Sequence, residues 1–111
     1  MSSRDRRRLR DILTAVDSIE RYTSAGRVSF EASEPIRSHV LLQLQIIGEA
    51  TASLNTVFRE QHPNVPWRRI IALRNLLVHQ YWHVDDERVW RITQENLPQL
   101  RTSIEQILAD E

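Results

Sequence analysis

From Ile36 to Phe58 the side chains of Ile36, Val40, Leu44, Ile47, Thr51, Leu54 and Phe58 follow one another at intervals of 4, 4, 3, 4, 3 and 4. An α-helix repeats every 3.6 residues, so this spacing lays all seven along one face, whereas a strand would scatter them over two. No other stripe in the chain is as long or as regular. Leu41, Leu42, Ile46, Ala50 and Val57 widen it well beyond a narrow seam. The helix therefore meets neighbours on more than one side, with apolar surface left over that could serve a dimer. Ser33 is placed to cap its start, and Pro35 suits a first turn.

Three further stripes complete the pattern. Leu9, Ile12, Leu13, Val16 and Ile19 predict a helix over 4–24, closed by Gly26 as a left-handed cap. Its arginine-rich start, the Arg4 to Arg10 cluster, lies at the positive end of the helix dipole, so either the first turn frays or an anionic group lies near. The cluster could grip RNA or a partner protein, with a solvated helix end as the default. His62-Pro63-Asn64-Val65-Pro66-Trp67 breaks the second helix, and Pro66 opens a third that carries Ile70, Leu73, Leu76 and Leu77 and ends near Tyr81. After a turn over His83 to Glu87 with an acidic N-cap, Val89, Trp90, Thr93, Leu97, Leu100, Ile104 and Leu108 form the fourth. Pro98 falls inside it and should kink or split the helix at about Asn96. The stretch 26–32 offers no usable feature, and nothing alternates like a strand. The expectation is one all-α domain over residues 1–111, an antiparallel four-helix bundle with a kinked or split C-terminal helix.

Composition narrows the function. With no cysteine, the chain has no disulfide framework, thiolate zinc site or cysteine nucleophile. Its apolar runs fall far short of the roughly 18 residues that span a bilayer, and its basic start leads into Leu9-Arg10-Asp11, not an apolar core. A soluble, cytoplasmic protein with no membrane partner is expected. All 15 basic residues are arginine, and 15 acidic residues cancel them, which argues against a generic polyanion binder. Both cations satisfy an ordinary surface, so codon usage accounts for the missing lysine.

One short span gathers several groups capable of catalysis: Arg74-Asn75-Leu76-Leu77-Val78-His79-Gln80-Tyr81. The set suits phosphodiester cleavage of RNA. Histidine titrates near neutrality and can take the 2′-hydroxyl proton or protonate the leaving oxygen. Arginine stays charged and can hold a phosphate by two bonds as charge builds up. Asn75 could orient the imidazole or donate to a phosphate oxygen. The nucleophile comes from the substrate and the positive charge from arginine, so neither a metal nor another cofactor is called for. Arg74 and His79 lie about 140° apart around an ideal helix and converge only if it ends or bends, or if the long arginine reaches round.

Elsewhere the residues read as structural. Trp67, Trp82 and Trp90 sit at helix ends, where packing is the leading use and base stacking the other; Trp82, beside Tyr81, stays open. Gly48 inside a helix costs about 1 kcal/mol relative to alanine, so close helix packing or a dimer contact must favour it. Glu49 beside it is then a buried partner for an arginine, or less directly a cleft residue. His39, His62 and His83 are taken as solvated or capping.

The span Arg74 to Tyr81 resembles the Arg-x4-His-x-Tyr signature of the HepT-like ribonucleases of the HEPN superfamily. The likeness extends to Ile46-Ile47-Gly48-Glu49-Ala50, to His62 through Trp67, and to Val84-Asp85 with Val89-Trp90. It implies an all-helical toxin of a toxin–antitoxin pair that cuts RNA without a metal, in clefts formed where two subunits of a homodimer meet. It implies Arg74 and His79 as catalytic, Asn75 as supporting, and Tyr81 as the residue to which an MntA-like minimal nucleotidyltransferase antitoxin attaches AMP. The competing reading is a non-catalytic helical dimer that binds such a transferase or its nucleotide.

Overall fold

The computed structural model describes residues 1–80 and 84–110. Among these residues the helices are α1 (Ser3–Thr23), α2 (Arg27–Ala32), α3 (Glu34–Ala52), α4 (Thr56–Glu60), α5 (Trp67–Gln80), α6 (Asp86–Arg91) and α7 (Leu97–Ala109), with a π turn over Ile92–Asn96 between the last two. The protein is all-α. Its four long legs are α1, α3, α5 and the continuous run from α6 through α7, and α3 is central, packed by α1 on one side and α5 on another. Leu9, Ile12, Val16 and Ile19 of α1, Val40, Leu44 and Ile47 of α3, Leu77 of α5 and Leu100 and Ile104 of α7 are buried in one cluster. Each such side chain taken fully out of water contributes about 1.5–3 kcal/mol. No helix among the described residues is long and apolar enough to cross a membrane.

The caps follow the sequence. The Ser33 hydroxyl accepts from the Ile36 N–H at 3.3 Å, and the Asp85 carboxylate from the Arg88 N–H at 2.7 Å. At the start of α1, Ser2 accepts from the Asp5 N–H, and Asp5 itself supplies the anion that the arginine-rich turn calls for. Only 5% exposed, the Asp5 carboxylate also accepts from the Asn55 N–H at 3.0 Å, tying α1 to the loop before α4.

Several expectations need correction. The long stripe is not one helix: α3 stops at Ala52 and α4 resumes at Thr56, because Asn55 turns extended and its side chain caps α4 through the Val57 N–H at 2.8 Å. Leu54 and Phe58 stay buried across this break, so the spacing gave no sign of it. The featureless stretch 26–32 contains α2, a helix with a single buried side chain, Phe30, whose ring lies 5.4 Å from that of Trp90. Gly26 does take a positive φ of 97°, but with ψ 176°, which turns the chain directly into α2 and does not form the expected left-handed cap. The interruption expected at about Asn96 is present, as a π turn over Ile92–Asn96 that hands the chain to α7 at Leu97. The π turn absorbs the missing N–H, with the Leu97 N–H donating to the Ile92 carbonyl five residues back.

Candidate active site

At position 48 α3 and α5 lie in close contact. A Cβ placed on Gly48 would lie 2.1 Å from the Cβ of Arg74 and 3.3 Å from its Cα, so only a residue without a side chain lets α5 lie this close. That contact seats Arg74 directly on α3, beside Glu49. The Arg74 Nε donates to Glu49 Oε1 at 2.7 Å, Nη2 donates to the same oxygen, and Nη1 donates to the Asn75 Oδ1 at 2.8 Å. A guanidinium only donates, so Asn75 must present its oxygen here and its NH2 is left over. Asn75 thus orients Arg74; no hydrogen bond joins it to His79 among the described residues.

The expected partnership of Glu49 with an arginine is formed, but it is not buried: the side chains are 28% exposed for Arg74 and 55% for Glu49. At that exposure the pair contributes no more than about 1 kcal/mol to stability. Its effect is geometric. Three of the five N–H groups of Arg74 are engaged in holding it still, and two remain for an anion arriving from solvent.

His79 lies in the last turn of α5, exposed and with no hydrogen-bond or ion-pair partner among the described residues. Five residues from Arg74, it projects about 140° away around the helix axis, so within one chain the two do not share a face. Tyr81, Trp82 and His83 lie outside the described residues. A groove of about 340 Å³ on the other side of α5, lined by Ile70, Leu73, Ile92 and Leu97 with Arg69 and Arg88, includes none of Arg74, Asn75 and His79.

The remaining conspicuous residues are structural. The Trp67 Nε1 donates to the carbonyls of Arg59 and His62 at 3.1 and 2.9 Å, locking the turn before α5. His39 is neither solvated nor a cap: its Nε2 pairs with the Ser18 hydroxyl at 2.7 Å, and its ring stacks on Tyr22 at 3.6 Å. Among the described residues no three His, Asp or Glu side chains gather as a metal site would require.

Residues 12–107 match the family described as Ribonuclease HepT-like. The chain belongs to the HepT-like ribonuclease family. It is 37% identical over 107 residues to a candidate RNase of Methanocaldococcus jannaschii, covering 95% of this chain and 98% of that one. It is 32% identical over 102 residues to a probable ribonuclease HepT of Thermococcus cleftensis, covering 89% and 91% of the two. A candidate RNase of Caldanaerobacter subterraneus subsp. tengcongensis is 34% identical over 87 residues, or 76% and 78%. No solved structure matches the chain. In this HepT-like chain Gly48 and Glu49 of α3 stand against Arg74, which in turn donates to Asn75. The signal that pointed to them in the sequence is a glycine in the middle of a long helix, where it is costly unless a neighbour needs the space.

Proposed function

We propose that this chain is a metal-independent endoribonuclease and the toxin of a toxin–antitoxin pair, acting in the cytoplasm. The observation that carries the reading is the fixed, solvent-reachable guanidinium of Arg74, clamped by Glu49 and Asn75 with two donors free. Those donors suit the two non-bridging oxygens of a phosphodiester and the charge that grows there during displacement. His79, exposed and without a partner among the described residues, takes the proton from a ribose 2′-hydroxyl. The 2′-oxygen forms its bond to phosphorus, the bond to the 5′-oxygen breaks, and that oxygen leaves with a proton from an acid such as imidazolium. The products are a 2′,3′-cyclic phosphate and a 5′-hydroxyl. The nucleophile belongs to the substrate and arginine carries the charge, so the scheme uses no metal or other cofactor.

The 140° between Arg74 and His79 favours a cleft shared by two copies. Leu42 and Ile46 on α3, 53% and 37% exposed, and Val78 on α5 offer apolar surface next to the Arg74–Glu49 pair. A two-fold dimer over this face brings Arg74 of one copy to His79 of the other. Tyr81 accepts AMP from an MntA-like nucleotidyltransferase: its phenolic oxygen bonds the α-phosphorus of ATP, and pyrophosphate leaves. Two residues from His79 in sequence, that group adds bulk and negative charge beside the site and silences it.

Mixing subunits tests the reading. Arg74→Ala and His79→Ala each abolish RNA cleavage as pure dimers, but refolded together they regain about one quarter of wild-type activity, because half the dimers are mixed and each has one intact cleft of two. An inactive mixture of dimers confirmed to exchange subunits would refute the shared cleft, and full activity in either single variant would refute the assignment itself. Mass spectrometry of the protein co-expressed with its transferase should show added AMP that Tyr81→Phe removes. If the wild-type protein leaves a mixed RNA pool intact yet binds the transferase tightly, the non-catalytic reading replaces this one.

A further inference from the structure

The exposed face of α5 has a charge pattern that neither Arg74 nor the fold explains. From Gln61 to Val84 the sequence has no aspartate or glutamate over 24 residues, although the chain as a whole has 15 in 111. That span includes Arg68, Arg69 and Arg74, so a neutral molecule is locally cationic here. At 100° per residue, Arg68, Ala72, Asn75 and His79 fall at intervals of 4, 3 and 4 along one stripe, and all four are exposed. Arg69 lies on a different face and lines the groove between α5 and the C-terminal leg.

Arg68 lines a shallow groove with Thr56, Arg59, Glu60 and Pro63 at the start of α5. Its guanidinium has no hydrogen-bond or ion-pair partner among the described residues, in contrast to Arg27, Arg37, Arg74, Arg91 and Arg101, which each have a carboxylate. Ala72, between Arg68 and the motif, leaves the strip low. The rise of 1.5 Å per residue puts Arg68 about 16 Å along the axis from His79, a distance that an extended single strand covers in roughly three nucleotides.

We propose that Arg68 is a substrate-positioning residue that holds a backbone phosphate of single-stranded RNA about three nucleotides from the bond cut at His79. This rests on the ribonuclease reading above for its substrate. The strip suits a phosphate chain because a carboxylate on it would repel each passing phosphate, and because a flexible arginine contacts the backbone without selecting a base. The scissile phosphate is held at one end of α5 and the strand is aligned at the other, which sets its direction across the cleft.

The experiment is a binding titration with a 2′-O-methyl dodecanucleotide, which cannot be cut, followed by fluorescence anisotropy at several salt concentrations. Arg68→Gln should weaken binding about 5–10-fold at low salt and reduce the slope of log K against log salt by about 0.7, one phosphate contact fewer. Arg68→Lys, which keeps the charge, should recover most of both. On a cleavable dodecanucleotide Arg68→Gln should raise KM several-fold while kcat moves less than twofold, and the effect should shrink on a dinucleotide too short to reach position 68. Arg21→Gln, an exposed arginine on α1, serves as the control with wild-type slope.

Wild-type affinity and slope in Arg68→Gln would overturn the proposal. So would weakened binding accompanied by a changed mass in solution, which would make the strip a contact between copies. Because binding is read on an uncleavable strand, a wild-type protein that cuts no RNA would sink the ribonuclease reading without deciding this one.

Discussion

Gly48→Ala sets two effects of opposite sign against each other. In a helix interior alanine is favoured over glycine by about 1 kcal/mol, so propensity alone predicts a more stable protein. Against this, the new Cβ would lie 2.1 Å from the Arg74 Cβ, 2.6 Å from its Cγ and 3.3 Å from its Cα. Carbon atoms settle about 3.5–4.0 Å apart, so the two positions must separate by roughly 1.4–1.9 Å. A new rotamer for Arg74 cannot do this, because Cβ is fixed by the backbone; α5 must move off α3. Overpacking of this kind costs about 1–3 kcal/mol, and a clash with unmovable atoms belongs at the upper end, for a net loss of about 1–2 kcal/mol. With an unfolding entropy of about 2.1 cal/mol/K per residue over 111 residues, thermal denaturation should show Tm falling by about 4–8 °C. Displacing Arg74 by more than 1 Å should also lower RNA cleavage by about 10²-fold. A double-mutant cycle with Arg74→Gly isolates the contact, since removing that Cβ should let the alanine substituted for Gly48 regain much of its helix advantage. A Gly48→Ala protein that melts at or above the wild-type temperature and cleaves normally would refute close approach as the reason for the glycine.

Removing the clamp on Arg74 separates orientation from stability. Glu49→Ala should shift Tm by less than about 4 °C, as befits an exposed pair, yet lower cleavage at least tenfold; a rise in activity would mean that Glu49 masks the arginine. Asp5→Ala strips the acceptor from the Asn55 N–H in a buried setting and should cost about 1–3 kcal/mol in urea denaturation, with Asp5→Asn recovering part because its amide oxygen still accepts. Arg101 donates to Asp17 and Glu20, joining α7 to α1, and the hydrogen bond to Asp17 raises its pKa above an already high ordinary value. A raised cation pKa contributes stability that is fully present below the unfolded value, so melts between pH 7 and 10 should show no loss traceable to Arg101. Arg101→Gln should cost at most about 1 kcal/mol at low salt and close to nothing at 1 M salt, because the carboxylates are half exposed.

What the sequence made legible is what local chemistry decides. The four stripes, the caps at Ser33 and Asp85 and the interruption before Pro98 all depend on residues within a turn or two of each other. The break at Asn55 was hidden because the chain resumes in phase: Leu54 and Phe58 reach the same core from either side of it. Helix α2 was hidden because six residues with one buried ring form no stripe. In the site, the motif on α5 could be read directly, whereas the link from Arg74 to Glu49 spans 25 positions and depends on how two helices cross. The cost of Gly48 pointed to close packing and to Glu49 as a partner for an arginine, without saying which arginine.

The zero net charge also acquires a physical meaning from the fold. At least seven of the 15 carboxylates are committed: Asp5 to the Asn55 amide, Asp17 and Glu20 to Arg101, Glu31 to Arg27, Asp86 to Arg37, Glu87 to Arg91 and Glu49 to Arg74. Apart from Asp5, whose donor is a neutral amide, each of these carboxylates cancels charge where it stands. Because α5 carries no acid of its own, the cancellation is uneven, and Arg68 and Arg69 on the helix that bears His79 are among the cations with no carboxylate partner among the described residues. Bulk neutrality then limits long-range attraction for polyanions in general, while the local surplus remains available at contact distance, inside about one Debye length of 8–10 Å. Recognition built this way depends on a few phosphates held at set positions along one helix, so geometry and not total charge decides which strand is held.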